Sequence, residues 1–137
     1  MSPKDEAALD ALLDDARRVA QNAYAPYSHF RVGAALLLTN GKVVTGANVE
    51  NASYGLTMCA ERSALASAVS QFGPEVRVAA VAVTNLNDAA SPPCGACRQM
   101  LAEFTLPDAR ILFPFEGEML NLPFSEVMPV AFDLKKK

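Results

Sequence analysis

The sequence predicts an α/β protein, a three-layer α/β/α sandwich around a mixed sheet of about five strands, in one domain over residues 1–137. Three observations predict it. An amphipathic helical repeat opens the chain. Two strand-type runs follow it on either side of a turn dipeptide. Two further apolar runs each come after a helix-type segment, an alternation that leaves one sheet between layers of helices.

Residues 3–24 carry Leu9, Leu12, Leu13, Ala16, Val19, Ala20 and Ala23 at helical spacing. Ser2 suits the N-cap and Pro3 the first helical position. Asp5 and Glu6 suit the electropositive first turn, and Pro26 ends the helix. Residues 30–39 read as a strand, and Asn40-Gly41 as a two-residue hairpin turn into a returning strand over 42–47. Residues 48–57, rich in Asn, Ser, Gly and Tyr, read as a loop suited to a site rather than a core. A helix over 58–72 follows, with Thr57 as N-cap and Gly73 as its stop. Residues 76–83 are almost continuously apolar, as in a strand covered on both faces. A loop over 84–93 leads to a helix from 94 to about 104, then a strand over 110–113. Residues 113–121 give a weak strand signal that leaves the register of the last strand open, and 123–128 reads as a short helix. No repeat, low-complexity tract or linker interrupts the series.

Composition limits the function. About half the residues are apolar, enough for a core, and the formal charge is −3. Nucleic-acid binding needs Lys and Arg against phosphates, and the one dense basic cluster, Lys135-Lys136-Lys137, reads as a solvated end. No apolar run reaches bilayer length, and the start lacks a basic-then-apolar leader. A cytoplasmic protein acting on a small molecule, with no nucleic acid and no membrane as partner, is the expectation.

The three cysteines are Cys59, Cys94 and Cys97, an odd number that cannot pair fully within one chain. Cys59-Ala60-Glu61 and Pro93-Cys94-Gly95-Ala96-Cys97 each open a predicted helix. The spacing of Cys94 and Cys97 puts their thiols on one side of a first helical turn, where the helix terminus favours the metal-binding thiolate. With Cys59 they make three ligands, which leaves the fourth tetrahedral position of a zinc ion for water. His29, far from both groups in sequence, reads as a surface or supporting residue rather than a ligand. Glu61 falls near such a metal while being a poor ligand, the place of a general acid/base. Zinc with three thiolates carries net −1, so electron density should be drawn from sulfur. Arg62 and Arg98 are candidate donors to the thiolates, the plain alternative being solvated arginines. A closed structural zinc site or a redox pair are the readings that compete for a Cys-x-x-Cys alone.

The combination resembles the small homotetrameric, zinc-dependent cytidine deaminases, over about residues 27–132. The segment Pro26-Tyr27-Ser28-His29-Phe30-Arg31-Val32-Gly33-Ala34-Ala35-Leu36 is similar to the family's first-strand motif, and Gly46-Ala47-Asn48-Val49-Glu50-Asn51-Ala52-Ser53-Tyr54-Gly55 to its nucleoside-binding loop. Cys59-Ala60-Glu61-Arg62 and Pro93-Cys94-Gly95-Ala96-Cys97-Arg98-Gln99 are similar to its two zinc motifs. The resemblance implies one zinc ion per chain and a proton-carrying Glu61. It implies ribose hydrogen bonds from Asn48 and Glu50, Phe30 packed beside the nucleoside, and a base contact from the Ala60 backbone. It places Tyr54 and Phe132 in a neighbouring subunit's pocket, within a homotetramer that shares its active sites. The implied reaction is hydrolytic deamination of free cytidine and deoxycytidine, in pyrimidine salvage. Val127-Met128 replaces the family's Leu-Leu before Pro129, a volume-conserving change. A blasticidin-type deaminase would share the cysteine set, but Asn48-Val49-Glu50 and the Phe132 ending favour cytidine. Relatives directed at nucleotides or tRNA typically carry histidine where Cys59 stands. A non-catalytic zinc-binding interaction module is the rival from another class.

Overall fold

The computed structural model describes residues 5–134. The elements are α1 (Glu6–Ala20), β1 (Val32–Leu38), β2 (Val43–Ala47), α2 (Ala60–Phe72), β3 (Val78–Asn85), α3 (Gly95–Ala102), β4 (Thr105–Phe115), β5 (Glu118–Pro123) and α4 (Phe124–Val127), with a short 3-10 turn at Tyr54–Leu56. Ser2, the expected N-cap, Pro3, expected at the first helical position, and the Lys135–Lys137 cluster lie outside the described residues. Asp5, expected in the first turn, is itself the N-cap of α1, and its carboxylate accepts from Ala7 N at 2.9 Å. The helix ends before the expected residue 24. Tyr24 instead exchanges backbone hydrogen bonds with Asn48 and Glu50, pulling the chain toward the loop after β2.

The strands form one sheet in the order β2-β1-β3-β4-β5, with β3 and β4 parallel and the other neighbours antiparallel. The mixed sheet and the helical layers match the predicted sandwich. Alternation along the central strands divides the core. On one face Ala35, Ala80 and Ala82 meet Leu9, Leu12 and Ala16 of α1. On the other, Leu36, Val81, Val83 and Ile111 meet Ala64 and Leu65 of α2, Leu101 of α3 and Phe124 of α4. All eight residues of β3 are buried, as its continuous apolar run requires.

Two glycines set how closely the helices approach. A Cβ on Gly33 would lie 2.0 Å from Ala16 O, and one on Gly46 would lie 2.4 Å from Ala64 N. Strand backbone therefore touches helix backbone on both faces, and only glycine permits it.

The turns depart from expectation. Asn40-Gly41 does not form a two-residue turn. Gly41 N donates to Leu38 O at 2.9 Å, Leu38 N donates to Lys42 O at 2.9 Å, and Gly41 alone has positive φ, +87°. That is a three-residue loop closed by a left-handed glycine. The two-residue turn lies elsewhere, at Glu116-Gly117, where φ values of +53° and +80° join β4 to β5 with Phe115 opposite Glu118. That pairing supplies the register left open by the sequence. Strand β4 also starts earlier than expected, because a register shift between Val78 and Ala80 lets it run through Pro107 and Asp108.

Candidate metal centre and adjoining cavity

Both zinc-motif helices are capped by the cysteines themselves. Cys59 is the N-cap of α2, in place of the expected Thr57, and its thiol makes no cap hydrogen bond. Thr57 instead accepts from Asn51 N at 3.2 Å. Cys94 is the N-cap of α3, and its sulfur accepts from Cys97 N at 3.4 Å, a contact that draws electron density from sulfur. The Sγ atoms of Cys59 and Cys94 are 3.9 Å apart and those of Cys94 and Cys97 3.4 Å apart. All three sulfurs lie within 4.8 Å of one another. Sulfurs at tetrahedral corners around zinc, each bonded at about 2.3 Å, are separated by roughly 3.8 Å. The donor set and its spacing therefore fit zinc.

Cys59 is poised to carry negative charge that a cation would neutralise. The Cys97 thiol hydrogen-bonds Cys59, and with Arg62 it holds the Cys59 thiol down at about 5. The same contact, with burial, pushes Cys97 up. Arg62 Nη2 donates to Thr57 O at 2.8 Å and reaches Cys59 Sγ at 3.8 Å. Arg98 does not serve sulfur. Its Nε donates to Pro93 O at 2.8 Å and its Nη1 to Val127 O at 3.0 Å, tying the start of α3 to the end of α4. Two nearby carbonyls, Pro93 O in the loop before α3 and Val127 O at the end of α4, take the guanidinium fork in place of a thiolate.

Cys59 and Cys94 line a cavity of about 310 Å³, at the small end of the roughly 300–1,000 Å³ typical of small-molecule sites. Glu61, on the first turn of α2, lines it too while only 5% exposed. Burial pushes its carboxyl up to about 7. Phe30, Asn48, Glu50, Tyr54 and Ala60 complete the set of expected residues on the wall. Tyr54 thus borders its own chain's cavity while 70% exposed. Phe132 does not line it. Its ring is exposed and its backbone is gripped by Gln99, whose Nε2 donates to Phe132 O at 2.8 Å. His29 stands apart from the sulfurs, exposed on the surface in the left-handed region at φ +59°.

The polar wall is tightly bonded. Asn48 Oδ1 accepts from Val32 N at 2.9 Å and its Nδ2 donates to Phe30 O at 2.8 Å, so the amide fixes the entry of β1. Glu50 Oε1 accepts from Tyr27 N at 3.0 Å and Ser28 N at 3.1 Å, and Oε2 accepts the Ser28 hydroxyl. These donors, Ser28 foremost, hold the Glu50 carboxyl below its usual range. Sequence reasoning assigned no role to Ser28, nor to Asn85 and Asn87. Asn85 is buried at the end of β3 and bonds Ala89 O and Ser91 Oγ, shaping the loop that leads to Cys94. Asn87 bonds Arg31 N and His29 O, joining that loop to residues 29–31. Two polar residues directly after a continuous apolar strand were the available signal.

Comparison with known proteins bears on this geometry. Residues 7–113 match the model of the cytidine and deoxycytidylate deaminase zinc-binding region. A cytidine deaminase of Halalkalibacterium halodurans is 47% identical over 122 residues, covering 88% of this chain and 91% of that protein. The crystal structure of a cytidine deaminase from Burkholderia pseudomallei superposes with a TM-score of 0.81 at 43% identity, covering 90% of this chain and 98% of that one. A blasticidin-S deaminase of Bacillus cereus is 25% identical over 107 residues, covering 74% of this chain and 76% of that protein. The sulfur trio, the cavity beside it and the match across most of the chain agree, and the chain belongs to the zinc-dependent cytidine and deoxycytidylate deaminase family.

Proposed function

We propose that this protein hydrolyses the 4-amino group of free cytidine and deoxycytidine, yielding uridine or deoxyuridine and ammonia. The observation that carries the reading is the sulfur trio at tetrahedral spacing beside a buried carboxyl, both on the wall of one nucleoside-sized cavity. Cys59, Cys94 and Cys97 would hold zinc, which when bound supplies the Lewis acidity that makes water a nucleophile near neutral pH. Glu61 is the proton carrier. It accepts the first proton lost by the attacking water and delivers it to ring N3 so that C4 becomes electrophilic. It then takes the second proton from the new C4 hydroxyl and gives it to the amine, which leaves as ammonia as the C4–N bond breaks and the C4 carbonyl forms. A carboxyl held near 7 can accept and return a proton at neutral pH with little cost in either direction.

The first backbone N–H of α2, at Ala60, has no partner within the helix, and we assign it to the base. Glu50, kept ionised, is an acceptor only, so it selects a hydroxyl donor such as those of the sugar. Asn48 and Phe30 flank the same position. Tyr54 and Phe132 expose large aromatic surfaces. We assign them to the cavity of a neighbouring copy in a homotetramer, where an aromatic face suits a planar pyrimidine. No described helix is long and apolar enough to cross a membrane, and we place the enzyme in the cytoplasm.

The test is spectroscopic. Addition of cytidine should produce the ultraviolet change of uridine formation, with about one zinc per chain. Blasticidin S, run alongside, should be a poor substrate. Zinc at one per chain with no change on either nucleoside would mark a non-catalytic zinc module.

A further inference from the structure

Ser28 sits between two groups of the proposed nucleoside site. Its hydroxyl donates to Glu50 Oε2 while its oxygen accepts from Phe30 N at 3.0 Å. Its backbone N–H also donates to Glu50 Oε1, beside that of Tyr27. The carboxylate is therefore held by three donors from one short turn, whose end His29 N closes onto Ala25 O at 3.0 Å. A glutamate has three rotatable bonds, and freezing such a side chain on binding costs affinity. Here the freezing is done before any ligand arrives. Oε1 takes two N–H donors and Oε2 one O–H, which leaves acceptor capacity on Oε2, and both residues line the cavity.

We propose that Ser28 is a positioning residue that sets Glu50 as a preformed acceptor for a sugar hydroxyl and links it to the backbone of Phe30. The inference rests on the reading of Glu50 as the sugar-binding carboxylate. It predicts that the Ser28 hydroxyl matters only to substrates whose sugar offers Glu50 a donor. Side chains that merely stabilise the fold would affect all substrates alike.

The experiment compares kcat/KM for cytidine with that for 2′,3′-dideoxycytidine, which lacks both secondary hydroxyls. Wild type should strongly prefer cytidine. Ser28→Ala should lower kcat/KM on cytidine roughly tenfold, the scale of one hydrogen bond to a charged group, and leave the dideoxy substrate unchanged. Ser28→Thr, which keeps the hydroxyl, should restore the preference. Should Ser28→Ala prove insoluble, Ser28→Cys keeps the shape of the side chain, slightly enlarged, with only a weak donor and should show the same loss. Equal losses on both substrates, or no loss on cytidine, overturn the proposal. Glu50→Gln separates it from its premise. If Glu50→Gln retains the full preference for cytidine, the sugar-binding reading of Glu50 fails. If it abolishes the preference while Ser28→Ala leaves the preference at its wild-type value, that reading stands and the role of Ser28 fails.

Discussion

Replacing Gly46 by alanine would test whether the seat of α2 on β2 sets the geometry of the site. A Cβ at this position would lie 2.4 Å from Ala64 N, 2.8 Å from Ala60 O and 2.9 Å from Ala64 Cα, all backbone or Cα atoms of α2. Ordinary contact begins near 3.4 Å, so α2 must retreat from the sheet by about 1 Å. Its first residues follow Cys59 and include Ala60 and Glu61, whereas Cys94 and Cys97 belong to α3 and stay in place. Overpacking of this kind costs about 1–3 kcal/mol of stability. A misplacement of about 1 Å at reacting groups costs roughly a hundredfold in rate. Gly46→Ala should therefore lose about two orders of magnitude in kcat/KM on cytidine and hold zinc less tightly, beyond a fall in Tm. Gly33→Ala makes the comparison, since its Cβ would strike Ala16 O of α1, which carries none of the proposed site residues. That variant should lose Tm while its folded fraction keeps zinc and rate. Gly46→Ala protein with wild-type rate and zinc content, destabilised no differently from Gly33→Ala, would refute the argument.

Other outcomes follow from the site. Glu61→Gln should keep zinc and fold while turnover falls by several orders of magnitude, measured by the ultraviolet assay; full activity would remove the proton-carrier role. Arg62→Ala should raise the rate of zinc loss to a chelator, because a donor to Cys59 is gone, whereas Arg98→Ala should lower Tm through two lost bonds to carbonyls without speeding zinc loss. Glu50 has a folded-state pKa below its unfolded value, so its contribution to stability is present above about 4.5 and is lost as pH falls through the lowered folded value. Glu50→Gln should accordingly reduce Tm at pH 7, with the deficit shrinking as pH falls below about 4.5, read by calorimetry across that range. Cys94→Ala should lose zinc and stability together, with zinc content and Tm falling in parallel.

The core and the metal centre were legible in the sequence because their signals are local and redundant. Leu9, Leu12 and Ala16 repeat at helical spacing, and residues 78–83 are apolar without a break. The cysteine spacing needs only a first helical turn to bring two sulfurs together. The turns were less legible because two-residue and three-residue loops share the dipeptide Asn-Gly, and which forms depends on register across Leu38 and Lys42. Glu116-Gly117 gave little warning, since glutamate rarely takes positive φ and does so here because the β4–β5 pairing demands it. Arg98 was misassigned because its partners, Pro93 O and Val127 O, include one 29 residues away that only the docked α4 supplies. The bonds of Ser28 to Glu50 span 22 residues and were invisible for the same reason.

The sulfur centre has a mechanical consequence as well. Cys59 and Cys94 are 35 residues apart in sequence, and the chain between them holds α2 and all of β3. A bound ion gripping both ends acts as a removable staple on that loop. An ion that binds the folded chain and is released on unfolding would stabilise the fold by an amount that grows with the ratio of its free concentration to its dissociation constant. The lifetime of the folded molecule is thereby tied to the free zinc around it. Scarcity of the ion loosens the central strand as well as stopping the chemistry.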